Sequence, residues 1–484
     1  MLKNPIARLL KGSAVYGLGT ILQRFMGLLL LPLFTRVISP EDYGIVALIS
    51  LISIALGGLL TLGTGNSMGV LYFREQDPLK RPAIIWSNTI LMVVNCAFWY
   101  VVLFFSAPKL SELMFGSNHF AYLIRIAVLG SVFSTISDPL LAYLRMEEKA
   151  KFYVLITLIS TLFTIGISIW LVLFENMGAK GLILSTTLAN GIMLLVIFIL
   201  IGGRLPFYFK IKLFSPLVRI GFPSIFGLFA FLIIDYADRQ MIERILGLTS
   251  LGIYSVGYSL GMVMLVAVGA FATAWSPFFA SYINKPEEAR EVFGRALTYY
   301  VFGFGTLLVI YFAFSKILVS VLMASLFHDA FTIVGLVAAA YMLKGMYLIL
   351  VPGLYFAEKL YKLSVIEWVA AFVNIGLNIW LIPIFGIVGA ALATFVSYLT
   401  LPVLAWGAAR KYLQVDYEWA RVALSSIFTL TASGLTFWLS IRYDSNSLLT
   451  ILINTLVVAI VLASSLKFIL SAADRKYFWD KISR

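Results

Sequence analysis

An all-helical protein that crosses a membrane about fourteen times is what this sequence predicts, on three observations. Charge is scarce, long apolar runs recur along the whole chain, and Lys and Arg are distributed unevenly between the segments that join those runs. A soluble protein is about half apolar and about a quarter charged; here 61% of 484 residues are hydrophobic and only 12% are charged. So few charges cannot cover a water-facing surface. The stretches Leu155–Leu173, Leu182–Ile201 and Leu449–Leu466 carry no charge at all, and a helix needs about 20 such residues to cross hydrocarbon. Backbone groups in lipid find no water, so these runs have to pair internally as helices.

Apolar runs place spans near 12–38, 44–73, 83–107, 119–141, 152–174, 178–202, 214–237, 249–277, 296–323, 330–357, 364–384, 386–409, 419–440 and 448–471. With the N-terminus inside, the inner segments hold 26 of the 36 Lys and Arg and the outer ones 7, the rest falling within spans. That asymmetry follows the positive-inside rule and favours an even number of spans with both ends cytoplasmic. Topology therefore accounts for the formal charge of +13 without a nucleic-acid partner. The expected location is a cytoplasmic membrane.

The first apolar stretch is too long for a signal-peptide core and lacks a small-residue cleavage site, so it reads as a retained helix. Cys96 is the only cysteine, which excludes an internal disulfide. His119 and His328 lie far apart, so neither a metal site nor a Ser-His-Asp constellation is expected. A phosphate-binding Gly-x-x-x-x-Gly-Lys-Ser/Thr loop is missing as well. The longest polar stretches, near 203–215 and 283–295, are expected in the cytoplasm. No cofactor and no enzymatic chemistry are implied.

A shift of 210 positions superposes Glu148-Lys149 on Glu358-Lys359, Gly166 on Gly376 and Ile169-Trp170-Leu171 on Ile379-Trp380-Leu381. A shift of 208 superposes Arg36 on Arg244 and Gly44-Ile45 on Gly252-Ile253. The period is six helices, an even number, so the two halves are parallel repeats. The expected organisation is an N-terminal lobe at 1–203, a second lobe at 204–411, and an extra helix pair with a tail at 412–484.

Polar residues at helical spacing mark faces turned away from lipid. Span 1 carries Ser13, Tyr16, Thr20 and Arg24; span 11 carries Glu367, Ala371, Asn374 and Asn378. Charge and amides there point to a wet cavity. Span 2 (Ser50, Ser53, Gly57, Thr61, Thr64) and span 5 (Thr157, Thr161, Thr164, Ser168) carry only small hydroxylic residues and glycine, which read more simply as packing seams. Arg24 lies twelve residues into its span, about 18 Å deep, and Lys344 is similarly central. An unpaired cation there costs at least about 2.5–3.5 kcal/mol. It has to face water, an acidic partner or an anionic cargo; for Lys344, snorkelling is a further alternative. Asp235 and Arg239 are four residues apart, a spacing that allows an ion pair at the outer boundary.

The run GSAVYGLGTILQRFMGLLLLPLFTRVISPEDYGIVAL resembles the opening of bacterial polysaccharide and O-antigen flippases of the multidrug/oligosaccharidyl-lipid/polysaccharide exporter superfamily. Arg36 and the turn Ser39-Pro40-Glu41-Asp42-Tyr43-Gly44 carry much of the likeness. Asp238-Arg239 and Leu251-Gly252-Ile253-Tyr254 are similar to the family pattern in the second half. The resemblance implies a carrier that moves undecaprenyl-diphosphate-linked oligosaccharide between leaflets by alternating access. Its partners would be that glycan lipid, membrane lipid, H+ or Na+, and other polysaccharide-assembly proteins. It further implies that cationic cavity residues hold the diphosphate. Arg24 matches such a position best, and Lys344 is added on its depth alone. Tyr16, Asn374 and Asn378 are the expected glycan contacts, and Arg36, Asp235, Asp238, Arg239 and Glu367 the expected gate or ion-coupling residues. The rival readings are a cation-coupled multidrug antiporter, a lipid II flippase and, more remotely, a membrane polysaccharide polymerase. The first favours acidic cavity groups over an arginine. The last requires a large outer loop that the sequence lacks.

Overall fold

The structure is a computed structural model that describes Gly19, residues 21–23, 25–443 and 448–468. Among the described residues it contains helices and no strand. Ten helical stretches are long and apolar enough to span a membrane, and two shorter apolar helices flank them. Two of the ten contain a break at a glycine and hold two spans each. With each broken stretch taken as two and the two shorter helices included, the apolar helices among the described residues are α1 (Ile21–Phe34), α2 (Pro40–Thr61), α3 (Arg81–Phe115), α4 (Asn118–Met146), α5 (Ala150–Phe174), α6 (Gly178–Arg204), α7 (223–246), α8 (248–280), α9 (Pro286–Leu322), α10 (Ser325–Phe356), α11 (361–385), α12 (387–409), α13 (Trp419–Arg442) and α14 (Leu448–Ser464).

The breaks fall at Gly247 (φ 84°) and Gly386 (φ 60°, ψ −138°). Both conformations are ones that a Cβ disfavours, and glycine adopts them without that cost. Several boundaries differ from the sequence expectation. The stretch 44–73 is not one helix: Leu62 and Gly63 take left-handed conformations that end α2, and a separate helix, Thr64–Arg74, follows. Residues 283–295, expected as loop, are mostly helix. Pro286 sits in the first turn of α9, with Glu287 and Glu288 at the positive end of the helix dipole. α3 runs eight residues past its expected end, because Pro108 is accommodated within the helix.

The chain forms two compact units, Met1–Gly252 and Ile253–Arg484. In the first, α4 packs against α2, α3 and α6; in the second, α10 packs against α9, the α11–α12 hairpin and the end of α8. α4 and α10 are six spans apart and hold equivalent places, as a six-helix repeat requires. α13 and α14 pack on α9, where Asn454 donates to the Ala313 carbonyl at 2.7 Å.

The repeat extends to backbone detail. α4 ends with Glu148 in the left-handed region (φ 55°), the Lys149 N–H bonded to Leu144 O at 2.8 Å and the Glu148 N–H to Arg145 O at 3.1 Å. Two hundred and ten residues on, Glu358 (φ 56°) ends its helix with Lys359 bonded to Leu354 O at 2.9 Å and Glu358 to Tyr355 O at 3.0 Å. Both are Schellman caps, built with glutamate where glycine is usual. The second match is reciprocal. Gly44, near the start of α2, lies against the Leu248 carbonyl, and Gly252, near the start of α8, lies against the Pro40 carbonyl. Pro40 and Leu248 are themselves 208 apart. The contact is the same on both sides.

The turn that carries the sequence likeness has a physical role at each position. Ser39 caps α2 by accepting the Asp42 N–H at 3.1 Å. Pro40 opens the helix, and Asp42 also accepts the Ala179 N–H at 3.3 Å. One carboxylate thus serves two helix N-termini, where negative charge is favoured. Gly44 permits the close crossing.

Two sets of variants check this account. Gly44→Ala and Gly252→Ala each place a methyl onto a carbonyl and should each destabilise by about 1–3 kcal/mol. Gly376→Ala, which has nothing within 4 Å of the added atom, should be neutral or stabilising in the same thermal-unfolding series. Glu148→Gly and Glu358→Gly relieve left-handed strain and should each stabilise by about 1 kcal/mol.

Candidate functional site

Polarity is turned inward in both units. On α11, Phe372 and Trp380 are 65% and 64% exposed while Asn374 and Asn378 are fully buried. That inversion of the soluble pattern suits a helix with one face to lipid and the other to the protein interior.

In the second unit the inward faces meet in a tyrosine-rich lattice. Tyr258 and Tyr341 share a hydroxyl–hydroxyl hydrogen bond of 2.9 Å, and Tyr341 packs against Tyr398 with ring centroids 5.7 Å apart. The Lys344 ammonium stands 5.9 Å from the Tyr341 ring centroid and 5.6 Å from that of Tyr398. A cation near aromatic faces regains part of the solvation it loses in the membrane. One turn on, Tyr347 donates to Glu367 Oε1 at 3.2 Å, and Lys344 and Glu367 feel each other's charge. Asn378 Nδ2 donates to Asn374 Oδ1 at 2.9 Å. Asn374 Nδ2, Asn378 Oδ1 and Thr394 Oγ1 are buried with no partner among the described residues. Buried polar atoms are rarely left so; an amide donor, an amide acceptor and a hydroxyl that can do either remain open in this part of the unit.

In the first unit α2, α4 and α6 enclose a cavity of about 440 Å³. Ser50, Ser53 and Thr61 line it from α2, Ser131, Ser134, Thr135 and Asp138 from α4, and Thr186, Thr187 and Asn190 from α6. The helix starts close its end with an apolar cluster of Ile45, Ile49, Leu123, Ala127, Ala179 and Ile183. The α2 stripe, read from sequence as a seam, therefore borders open space. The α5 stripe behaves differently: Thr157, Thr161, Thr164 and Ser168 each donate to a carbonyl of their own helix four residues back.

At the α7 end, Asp238 is fully buried and Arg239 is 6% exposed. The Arg239 guanidinium donates to Asp238 Oδ1 at 3.2 Å and to the Asp235 main-chain carbonyl, and lies 4.5 Å over the Tyr236 ring. Gln240 and Arg244 donate to the carbonyls of Met114 and Leu113, at 3.0 Å each, which fastens this end of α7 to the end of α3.

The structure thus brings Lys344, Glu367, Asn374 and Asn378 into one unit and holds Asp235, Asp238 and Arg239 at the end of α7. Arg36 is exposed in the turn before α2. Tyr16 and Arg24 lie outside the described residues. Sequence reading did not bring Asp138 and the α4 and α6 stripes into a site. The signal was present as Ser131, Thr135 and Asp138 at steps of four and three, and as Thr186 and Asn190 at a step of four. Among the described residues no group of three or more His, Cys, Asp or Glu side chains could hold a metal ion.

A family model described as polysaccharide biosynthesis protein matches residues 33–332. No curated protein sequence matches the chain. Solved structures with the same fold include the lipid II flippase MurJ in an inward closed conformation, with a TM-score of 0.74 at 16% identity over 98% of this chain and 100% of that one. They include an inward-facing multidrug resistance MATE family transporter of the MOP superfamily, with 0.68 at 14% over 84% and 96%. The Vibrio cholerae MATE transporter VcmN follows, with 0.58 at 14% over 84% and 96%. With the family match extending over more than half of its length, this multi-pass membrane protein belongs to the polysaccharide biosynthesis protein family.

Proposed function

We propose that the chain is a flippase that carries undecaprenyl-diphosphate-linked oligosaccharide from the inner to the outer leaflet of a bacterial cytoplasmic membrane. One observation carries this reading: a chain of the polysaccharide biosynthesis family shares its fold, from end to end of both chains, with a lipid II flippase. The Lys and Arg asymmetry supports cytoplasmic termini. The cargo's diphosphate is anionic and costly to bring into hydrocarbon. Arg24 forms charge-assisted hydrogen bonds to it, and Lys344, held beside two tyrosine rings, supplies a second cationic anchor. Tyr16, Asn374 and Asn378 recognise the glycan, and the two six-helix repeats alternate access. Arg36 and the Asp238–Arg239 pair act as gate residues, and Asp235, Asp238 and Glu367 as the acidic groups that couple transport to an ion gradient. No bond is made or broken in this cycle.

The multidrug antiporter reading draws on the MATE folds and differs in the charge of its cargo. A lipid II flippase shares the diphosphate logic and differs in the glycan.

Reconstituted protein should move a labelled polyprenyl-diphosphate oligosaccharide across liposomes. Arg24→Ala should lower that rate about 10–100-fold at matched incorporation, the worth of a charged hydrogen bond. Lys344→Met should lower it further than Lys344→Arg. Efflux of organic cations without movement of the glycan lipid would identify the antiporter instead.

A further inference from the structure

Within the first unit, the segment that joins α6 to α7 carries two apolar sets. Leu205, Leu213, Phe214 and Leu217 pack into the core cluster that holds Trp86 and Ile197. The main chain is pinned to α3. Trp86 Nε1 donates to Leu205 O at 3.4 Å, the Lys210 N–H donates to Ser87 Oγ at 3.0 Å, and that hydroxyl donates back to Lys210 O at 3.1 Å. The second set stays outside: Phe207 and Ile211 are 70% and 68% exposed, and Tyr208 and Phe209 are exposed as well. The chain itself leaves most of the Phe207 and Ile211 surface uncovered.

The same segment is basic and uncompensated. Between 201 and 222 it holds Arg204, Lys210, Lys212 and Arg219, and no Asp or Glu occurs between Glu175 and Asp235. None of the four joins an ion pair among the described residues, whereas Lys80, Lys285, Arg290, Arg295 and Arg421 each pair with a carboxylate. Beside the segment lies a cavity of about 500 Å³, walled by Trp86, Phe198 and Phe207 and bounded by Gly202, Gly203 and Arg204. The Trp86 ring meets those of Phe198 and Phe207 edge-on, with centroids 5.5 and 5.1 Å away. Trp86 is five residues into α3, which starts at Arg81, so it lies about 8 Å along the helix. Headgroup meets acyl chain at about that depth, and Trp and Tyr collect there.

We propose that this cavity binds an anionic phospholipid of the cytoplasmic leaflet, its phosphate on Arg204 and the upper part of one acyl chain between Trp86, Phe198 and Phe207. A guanidinium matches a phosphate in shape and charge, and basic segments at a membrane surface select anionic lipid. Lys210 and Lys212 add to that attraction. A zwitterionic lipid offers the same chains but no net charge to a segment that carries only positive ones. This lipid is held and not carried, so its binding is read without any glycan lipid and stands apart from the nature of the cargo.

Thermal unfolding of the purified full chain in detergent micelles tests it, with dioleoyl-phosphatidylglycerol titrated against dioleoyl-phosphatidylcholine and against inorganic phosphate. A ligand that binds only the folded state raises the melting temperature. The expected result is a saturable rise with phosphatidylglycerol, a much smaller one with phosphatidylcholine and none with phosphate. Arg204→Gln should raise the half-saturating phosphatidylglycerol concentration about fivefold, while Arg295→Gln, which removes an exposed cation of the second unit, leaves it unchanged. Phe207→Ser should raise it too, through lost contact with the chain. Equal rises with both lipids, a rise with phosphate that matches the lipid's, or a half-saturation that Arg204→Gln does not move or that Arg295→Gln moves as far, overturns the site. If Arg204→Gln does not fold, an unchanged half-saturation in Phe207→Ser does so.

Discussion

The hydrocarbon interior offers no hydrogen-bond partner, and everything in this molecule is arranged around that fact. Each span has to satisfy its own backbone, which leaves helices as the only element. Side-chain polarity is then sorted by face. Phe98, Leu195, Ile199 and Trp380 are more than half exposed, while Asn88, Asn374, Asn378 and Asn454 are buried. What would be a defect in a soluble protein is here the means of separating a lipid face from an inner one. The hydroxyls of α5 show the cheapest solution, donating to their own helix and needing no partner.

A second constraint is inherited from repetition. Equivalent helices need equivalent ends, and the paired Schellman caps at Glu148 and Glu358 show how closely that is kept. The crossing of Gly44 with Leu248 and Gly252 with Pro40 shows the same at a contact. A Cβ on either glycine would meet a main-chain carbonyl, so each contact needs a residue without a side chain. The Ser39–Asp42 cap holds α2 in place for that approach and reaches the start of α6 as well.

The architecture was legible because its signals are long. An apolar run of twenty residues cannot be hidden, and the Lys and Arg count needs no structure. Where the sequence misled, the cause was local. Leu62 gave no sign of a left-handed turn, and Glu288–Arg295 looked like a polar loop because charges favour both loops and the solvated ends of long helices. The candidate site was legible only in part. Stripes on single helices were visible in α2 and α11, but a cavity is a property of three helices at once. Asp138 is a single carboxylate on its own helix, and nothing in one helix showed that α2 and α6 would line the same cavity. Lys344 stood out by depth, whereas its tyrosine neighbours, Tyr341 three residues away and Tyr398 on α12, came from the fold.

The claim on which the rest depends is that polar helix faces border water and apolar faces border lipid. Single cysteines in a Cys96→Ala background would test it most directly, placed at Ser53 and Thr186 in the cavity wall and at Val94 and Leu195, which are 58% and 65% exposed. An impermeant thiol reagent would be applied from each side of the membrane in turn. The account predicts labelling at the first pair from at least one side and none at the second pair from either. Labelling at Val94 and Leu195 with Ser53 and Thr186 silent would contradict it.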